Sequence, residues 1–152
     1  MSRLIPEMES PNLLRADVVG TGVFLAVTLL SLVTQADAVQ YLSLAVAALL
    51  FLGGSVAWCI GFLRAVGRSR DDEINLAGLF YLTGSAPDDV RRSFLGLWIA
   101  QWVIAALSIV VTLVMKDSPP FGVLAPVWGI GLITWWASLH ATFPPREDLR
   151  RQ

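Results

Sequence analysis

Charge is what this chain has least of. Only 15% of its 152 residues are Asp, Glu, Lys or Arg, where a water-soluble domain usually carries about a quarter. One cysteine, Cys59, excludes an intrachain disulfide and any paired-cysteine metal or redox motif. One histidine, His140, leaves no histidine cluster for a metal. The net charge of −1 gives no basic footprint for nucleic acid. Walker A, GxGxxG, HExxH and GxSxG patterns are all missing, and no repeat is detectable. Behind the first charges of MSRLIPEMESPNLLRAD there is no apolar core, so no cleaved leader is expected. No cofactor and no catalytic or metal-binding residue is expected.

What is present is apolar sequence in long runs. Hydrophobic residues make up 55% of the chain and mean hydropathy is +0.65. A helix needs about 20 mostly apolar residues to cross a bilayer. Four uncharged runs satisfy this: Val18 to Ala36, Ala38 to Leu63, Phe94 to Met115, and a stretch within Ser118 to Pro145 whose one titratable residue is His140. The expected fold is all-α, a four-helix transmembrane bundle forming a single domain over 1–152. Spans are expected at about 17–36, 38–63, 94–115 and 125–143.

Punctuation supports these limits. Ser10-Pro11 reads as an N-cap followed by proline in the first turn. Asp117-Ser118-Pro119-Pro120 stops the third helix, Pro119 to Leu124 reads as an interfacial turn, and Pro144-Pro145 ends the fourth helix. Ten of the eleven basic residues then fall on one side: Arg3, Arg15, Arg64, Arg68, Arg70, Arg91, Arg92, Arg146, Arg150 and Arg151, with Lys116 alone opposite. The positive-inside rule makes that side the cytoplasm, with both termini and the loop 64–93 on it.

The loop DDEINLAGLFYLTGSAPDDVRR is charged at both ends and apolar between. Ser69 and Asp72 form an S-x-x-D box that predicts a helix over about 70–83, with Gly84 as a left-handed stop. Ser85 and Asp88 repeat the box at the start of the third span. Ile74, Leu76, Leu79, Phe80, Tyr81 and Leu82 spread all round that helix, which is too short to span. They are expected to contact the membrane surface, the span ends or a partner.

Within the spans, Gly53, Ala57 and Gly61 form a small-residue ladder for close helix packing. Gln101, Ser108, Thr134, Ser138 and His140 outline a candidate polar path. The alternative is that Thr134, Ser138 and Thr142 bond back to their own helix, and that His140 anchors at the interface. Cys59 reads as a packing residue. Trp58, Trp98, Trp135 and Trp136 near one interface, and Trp128 near the other, read as interfacial anchors. The first three spans are expected to hold no charge at membrane depth, which argues against a charge-moving transporter.

GLFYLTGSAP, VRRSFLG, FGVLAPVWGIGL and WASLHATFPPR resemble a group of small four-span membrane proteins of actinobacteria to which no chemistry is assigned. The resemblance covers roughly residues 75–146. It implies a bacterial plasma membrane and no activity. Missing motifs and negligible mass on the outer side point to a non-enzymatic accessory or scaffold subunit of a larger membrane or envelope-associated assembly. The expected contacts are the lipid bilayer and a membrane-protein partner or a second copy, with no nucleic acid. The alternative is a small passive channel or carrier for an uncharged or lipid-like substrate.

Overall fold

The computed structural model describes residues 6–34, 36–115 and 121–146. The chain runs through α1 (Pro6–Val33), α2 (Asp37–Arg68), a short α3 (Leu76–Tyr81), α4 (Asp88–Met115), a 3-10 turn (Phe121–Leu124) and α5 (Val127–His140). The fold is all-α. Four segments are long and apolar enough to cross a membrane: Asn12–Val33, Asp37–Arg68, Asp88–Val110 and Gly122–His140. The protein is a multi-pass membrane protein with the short α3 in its central loop.

Burial is uneven among the spans. Inside the bundle, 56% of the last span is buried, against 22–28% of the other three. α5 is therefore the central helix, and it touches α1, α2, α3 and α4. The exposed residues of the others are apolar, such as Val19 and Leu29 on α1, Leu49 and Leu52 on α2, and Val103 and Leu113 on α4. Lipid tails are as apolar as these side chains, so hydrophobicity does not hold the spans together. Close packing and buried polar bonds must do so.

Several helix limits differ from expectation. α1 is already helical at Pro6, upstream of the start expected at Ser10-Pro11. α2 runs on to Arg68, five residues past the predicted end of its span. α5 stops at His140 instead of Phe143, because Ala141 turns extended (φ −65°, ψ 140°). The Asp117–Pro120 stop and the position of Lys116 lie outside the described residues.

The central loop departs most. Ser69 does not start a helix; it closes α2, and its hydroxyl donates to the Val66 carbonyl. Asp72 pairs with Arg68 at 2.8 Å instead of capping. Residues 71–73 are held by the chain after α5. Glu73 N–H donates to the Pro144 carbonyl, Arg146 N–H donates to the Asp71 carbonyl, and Asp72 and Pro145 form an antiparallel bridge. A helix over 70–83 would lose these bonds. α3 therefore starts only after Asn75, whose side chain accepts from Gly78 N–H.

The end of α3 is set by Leu82, which is left-handed (φ 55°) and fully buried. Gly84 is left-handed too (φ 69°). The left-handed backbone costs a non-glycine residue about 1–2 kcal/mol. Full burial of a leucine contributes about 1.5–3 kcal/mol, and truncation also leaves a cavity, so deletions run to about 2–5 kcal/mol. Burial wins. Leu82→Gly is expected to lower stability by about 2 kcal/mol despite relieving the backbone. Equilibrium unfolding in mixed micelles checks this; a stability equal to or above wild type would show that strain dominates.

Candidate functional site

Two regions of the bundle hold the residues that carry polar chemistry. One is the arginine-rich end, where the central loop, α3 and the tail meet. The other is the interior, where α1, α4 and α5 meet.

At the arginine-rich end Arg68 is the organising group. Its Nη1 donates to the Ser138 carbonyl at 3.0 Å, and its Nη2 to the Ala141 carbonyl at 3.2 Å. These oxygens belong to the last turn of α5 and its cap, where carbonyls lack helical partners and the dipole favours a cation. The guanidinium also lies over the Phe143 ring, 5.6 Å from its centroid. Phe143 also meets Gly78 of α3, where an added Cβ would sit 2.8 Å from the ring. Ser85 locks the corner: its hydroxyl donates to the Gly78 carbonyl at 2.8 Å, and its carbonyl accepts from Thr142 N–H. It was expected to cap α4, and it joins α3 to the tail instead.

The six apolar loop residues divide accordingly. Leu79 and Leu82 are buried in the main core with Leu13, Phe94, Leu132 and Trp136. Ile74 and Phe80 are half-buried against that core. The bundle itself therefore covers Leu79 and Leu82, and part of Ile74 and Phe80. Leu76 and Tyr81 remain exposed, at 66% and 48%. Tyr81 begins an aromatic row that continues through Trp98, 6.1 Å away, to Trp102.

Along α2 the predicted ladder holds at Ala57 and Gly61, and at its first position Gly54 takes the place expected for Gly53. The buried small residues are Ala47, Gly54, Ala57, Gly61 and Ala65. Gly54 and Gly61 lie against the α5 backbone itself: a Cβ on Gly61 would meet Trp135 N at 2.6 Å, and one on Gly54 would meet the Val127 carbonyl. Gly53 has a separate role. It faces the edge of the Trp128 ring, whose opposite edge fills a notch at Gly20 of α1. Trp128 is thus a wedge between α1 and α2, and Trp136 is 4% exposed, so neither acts as an interfacial anchor.

The candidate polar path is not continuous. Thr134 donates to the Ile130 carbonyl, Ser138 to the Trp135 carbonyl, and Ser108 to the Ala105 carbonyl. Each hydroxyl closes on its own helix. His140 stacks obliquely on Trp136 at 5.3 Å, at the end of α5. A shallow cleft lined by Ser55, Trp58, Cys59, Val127 and Ile130 opens on the outside of the bundle, not into it. Among the described residues, no group of His, Cys, Asp and Glu is placed to hold a metal.

Gln101 is different, and it exposes an acid that the span limits had hidden. Its Nε2 donates to Asp17 Oδ1 and to Thr21 Oγ1, both at 2.8 Å, and its Oε1 accepts from Gly129 N–H at 3.1 Å. One amide therefore joins α1, α4 and α5. Asp17 and Gln101 are 0% and 1% exposed. Gln101 stands at the middle of the 28-residue α4. The expectation of no charged residue at membrane depth is corrected: Asp17 lies inside the Asn12–Val33 span. The uncharged run that marks the first span starts at Val18, one residue after Asp17, so the acid falls at its limit. The pair Asp17 and Thr21, spaced i and i+4, was the available signal. Comparison with known protein families, curated proteins and solved structures finds no match for this chain.

Proposed function

We propose that this protein is a non-enzymatic accessory or scaffold subunit of a membrane assembly. It sits in a bacterial plasma membrane with both termini and the arginine-rich end in the cytoplasm. One observation carries the reading: Ser108, Thr134 and Ser138 close on their own helices and Gln101 on Asp17, Thr21 and Gly129, instead of lining a passage. The interior is used for holding helices, and the outer faces of α1, α2 and α4 are left apolar for lipid or for neighbours. Exposed Leu76 and Tyr81 beside the helix ends add a contact point at the cytoplasmic surface. The orientation rests on the ten-to-one division of basic residues.

A photo-crosslinking residue placed at Leu76 or Tyr81 in native membranes is expected to give discrete protein adducts, and one at buried Leu79 to give none. Absence of protein adducts from both exposed positions would overturn the subunit reading. Labelling of Asp89→Cys, on a Cys59→Ala background, by an impermeant reagent outside intact cells would overturn the orientation. The second reading, a carrier for a small uncharged substrate, is favoured by the buried Asp17–Gln101–Thr21 group alone. Protein-dependent flux of such a solute into proteoliposomes would establish it in place of the first.

A further inference from the structure

The carboxyl group of Asp17 has an acceptor atom that nothing in the bundle uses. Gln101 is fully committed: both amide hydrogens go to Asp17 Oδ1 and Thr21 Oγ1, and its oxygen takes Gly129 N–H. Because Gly129 N–H fixes which way the amide faces, it is Nε2 that points at Asp17, and Oδ1 accepts from it. Oδ2 is buried and has no hydrogen-bond partner. Buried indole N–H groups of Trp98 and Trp128 also lack acceptors. Trp128 Nε1 lies against Gly20, one turn along α1 from Asp17, and the Trp98 ring lies beside Gln101 Oε1 at Gly129.

Among the described residues no cation faces this carboxyl. On α1 the nearest charge is Arg15, which is exposed. α4 has no titratable residue between Arg92 and Met115. α5 has none before His140 at its last position, and α2 has only the exposed Tyr41 and Cys59 between Asp37 and Arg64. Among the described residues the one ion pair is Arg68–Asp72, at the far end of α2. A bare carboxylate held here by one neutral amide would be an unpaired charge inside the membrane, which is strongly unfavourable. The same group with a proton on Oδ2 is neutral and keeps every bond that Gln101 makes.

We propose that Asp17 is a proton-binding site at the junction of α1, α4 and α5, and that its occupancy governs how α1 seats on the other two helices. With Oδ2 protonated, the three helices close around Gln101. When α1 lifts and water reaches the group, the proton passes from Oδ2 to water and leaves a hydrated carboxylate. Re-seating takes a proton back from water. The inference does not depend on the subunit reading, since a scaffold and a carrier would both contain this joint.

Infrared difference spectroscopy of the purified protein in bilayers tests it. A protonated-carboxyl C=O band is expected, moved by labelling aspartate carboxyls with carbon-13, lost in Asp17→Asn, and weakened when the pH of the medium is raised from about 5 to about 9. The isotope measurement uses wild type alone, so it stands if Asp17→Asn does not fold. Thermal unfolding adds a second readout: wild type is expected to lose stability as pH rises through that range, and Asp17→Asn to lose that dependence. Absence of an aspartate-derived band overturns the proposal. So does a band that persists unchanged across the range, which would make Asp17 a permanently neutral structural acid.

Discussion

Gly131→Ala is expected to loosen the bundle by an amount at the upper end of the ~1–3 kcal/mol that overpacking costs. The added methyl would enter the Gly54 backbone of α2, with the Gly54 carbonyl carbon 2.8 Å away and its oxygen closer. A side chain could rotate out of the way, but a helix backbone cannot. The whole α2–α5 crossing must therefore widen, and the Gly61–Trp135 approach further along the same seam widens with it. Since packing and not hydrophobicity holds spans together, a widened seam has little to replace what is lost. Alanine is otherwise the better helix former by about 1 kcal/mol, so the sign comes from the contact alone. Gly22 and Gly96 provide the control, because a methyl there would meet nothing within 4 Å. Unfolding in mixed micelles should separate Gly131→Ala from Gly22→Ala and Gly96→Ala. Equal stabilities for the three would mean that α2 and α5 are not in backbone contact.

Gln101→Leu is expected to cost about 2–4 kcal/mol, although leucine suits a membrane helix better by composition. Interhelical hydrogen bonds in membranes are individually modest, averaging about 0.6 kcal/mol with the strongest near 1.7 kcal/mol. Gln101 makes three at once, and each links α4 to a different group. Its removal strands the Gly129 N–H and Asp17 Oδ1 in a buried site, and stranding a polar group costs more than losing a bond at the surface. Gln101→Glu separates shape from bonding. It keeps the length but places a second carboxyl against Asp17. It should fall below wild type as well, by repulsion or by loss of the amide donors. The measurement is the unfolding free energy of both variants. Wild-type stability in Gln101→Leu would show that the three-helix joint contributes nothing.

Some of this architecture can be read directly from composition. Four runs without charge must become helices, because a bilayer offers no partner for an open backbone. Their number, their approximate limits and the collection of arginines at one end follow from residue types alone. So does the back-bonding of Thr134 and Ser138, since a hydroxyl on a buried helix has a carbonyl one turn behind it. The need for small residues on α2 is equally local, as it is a property of one helix face.

What the tertiary structure decided are pairings between residues far apart in the chain. Which of Gly53 and Gly54 meets the α5 backbone depends on how α2 is rotated, and that rotation is set by Val127, Trp128 and Gly131. Ser69 and Asp72 are a sound local capping box, yet Arg68 and the segment after α5 take Asp72 and the neighbouring backbone first. Leu79 and Leu82 are buried only because α5 stops at His140 and lets Phe143 fold back under α3. Asp17 looks interfacial because the uncharged run begins only at Val18. With Gln101 facing it from α4, the same acid is fully buried inside the bundle. Hydropathy counts each residue against water and lipid, whereas these outcomes depend on which other residue stands opposite.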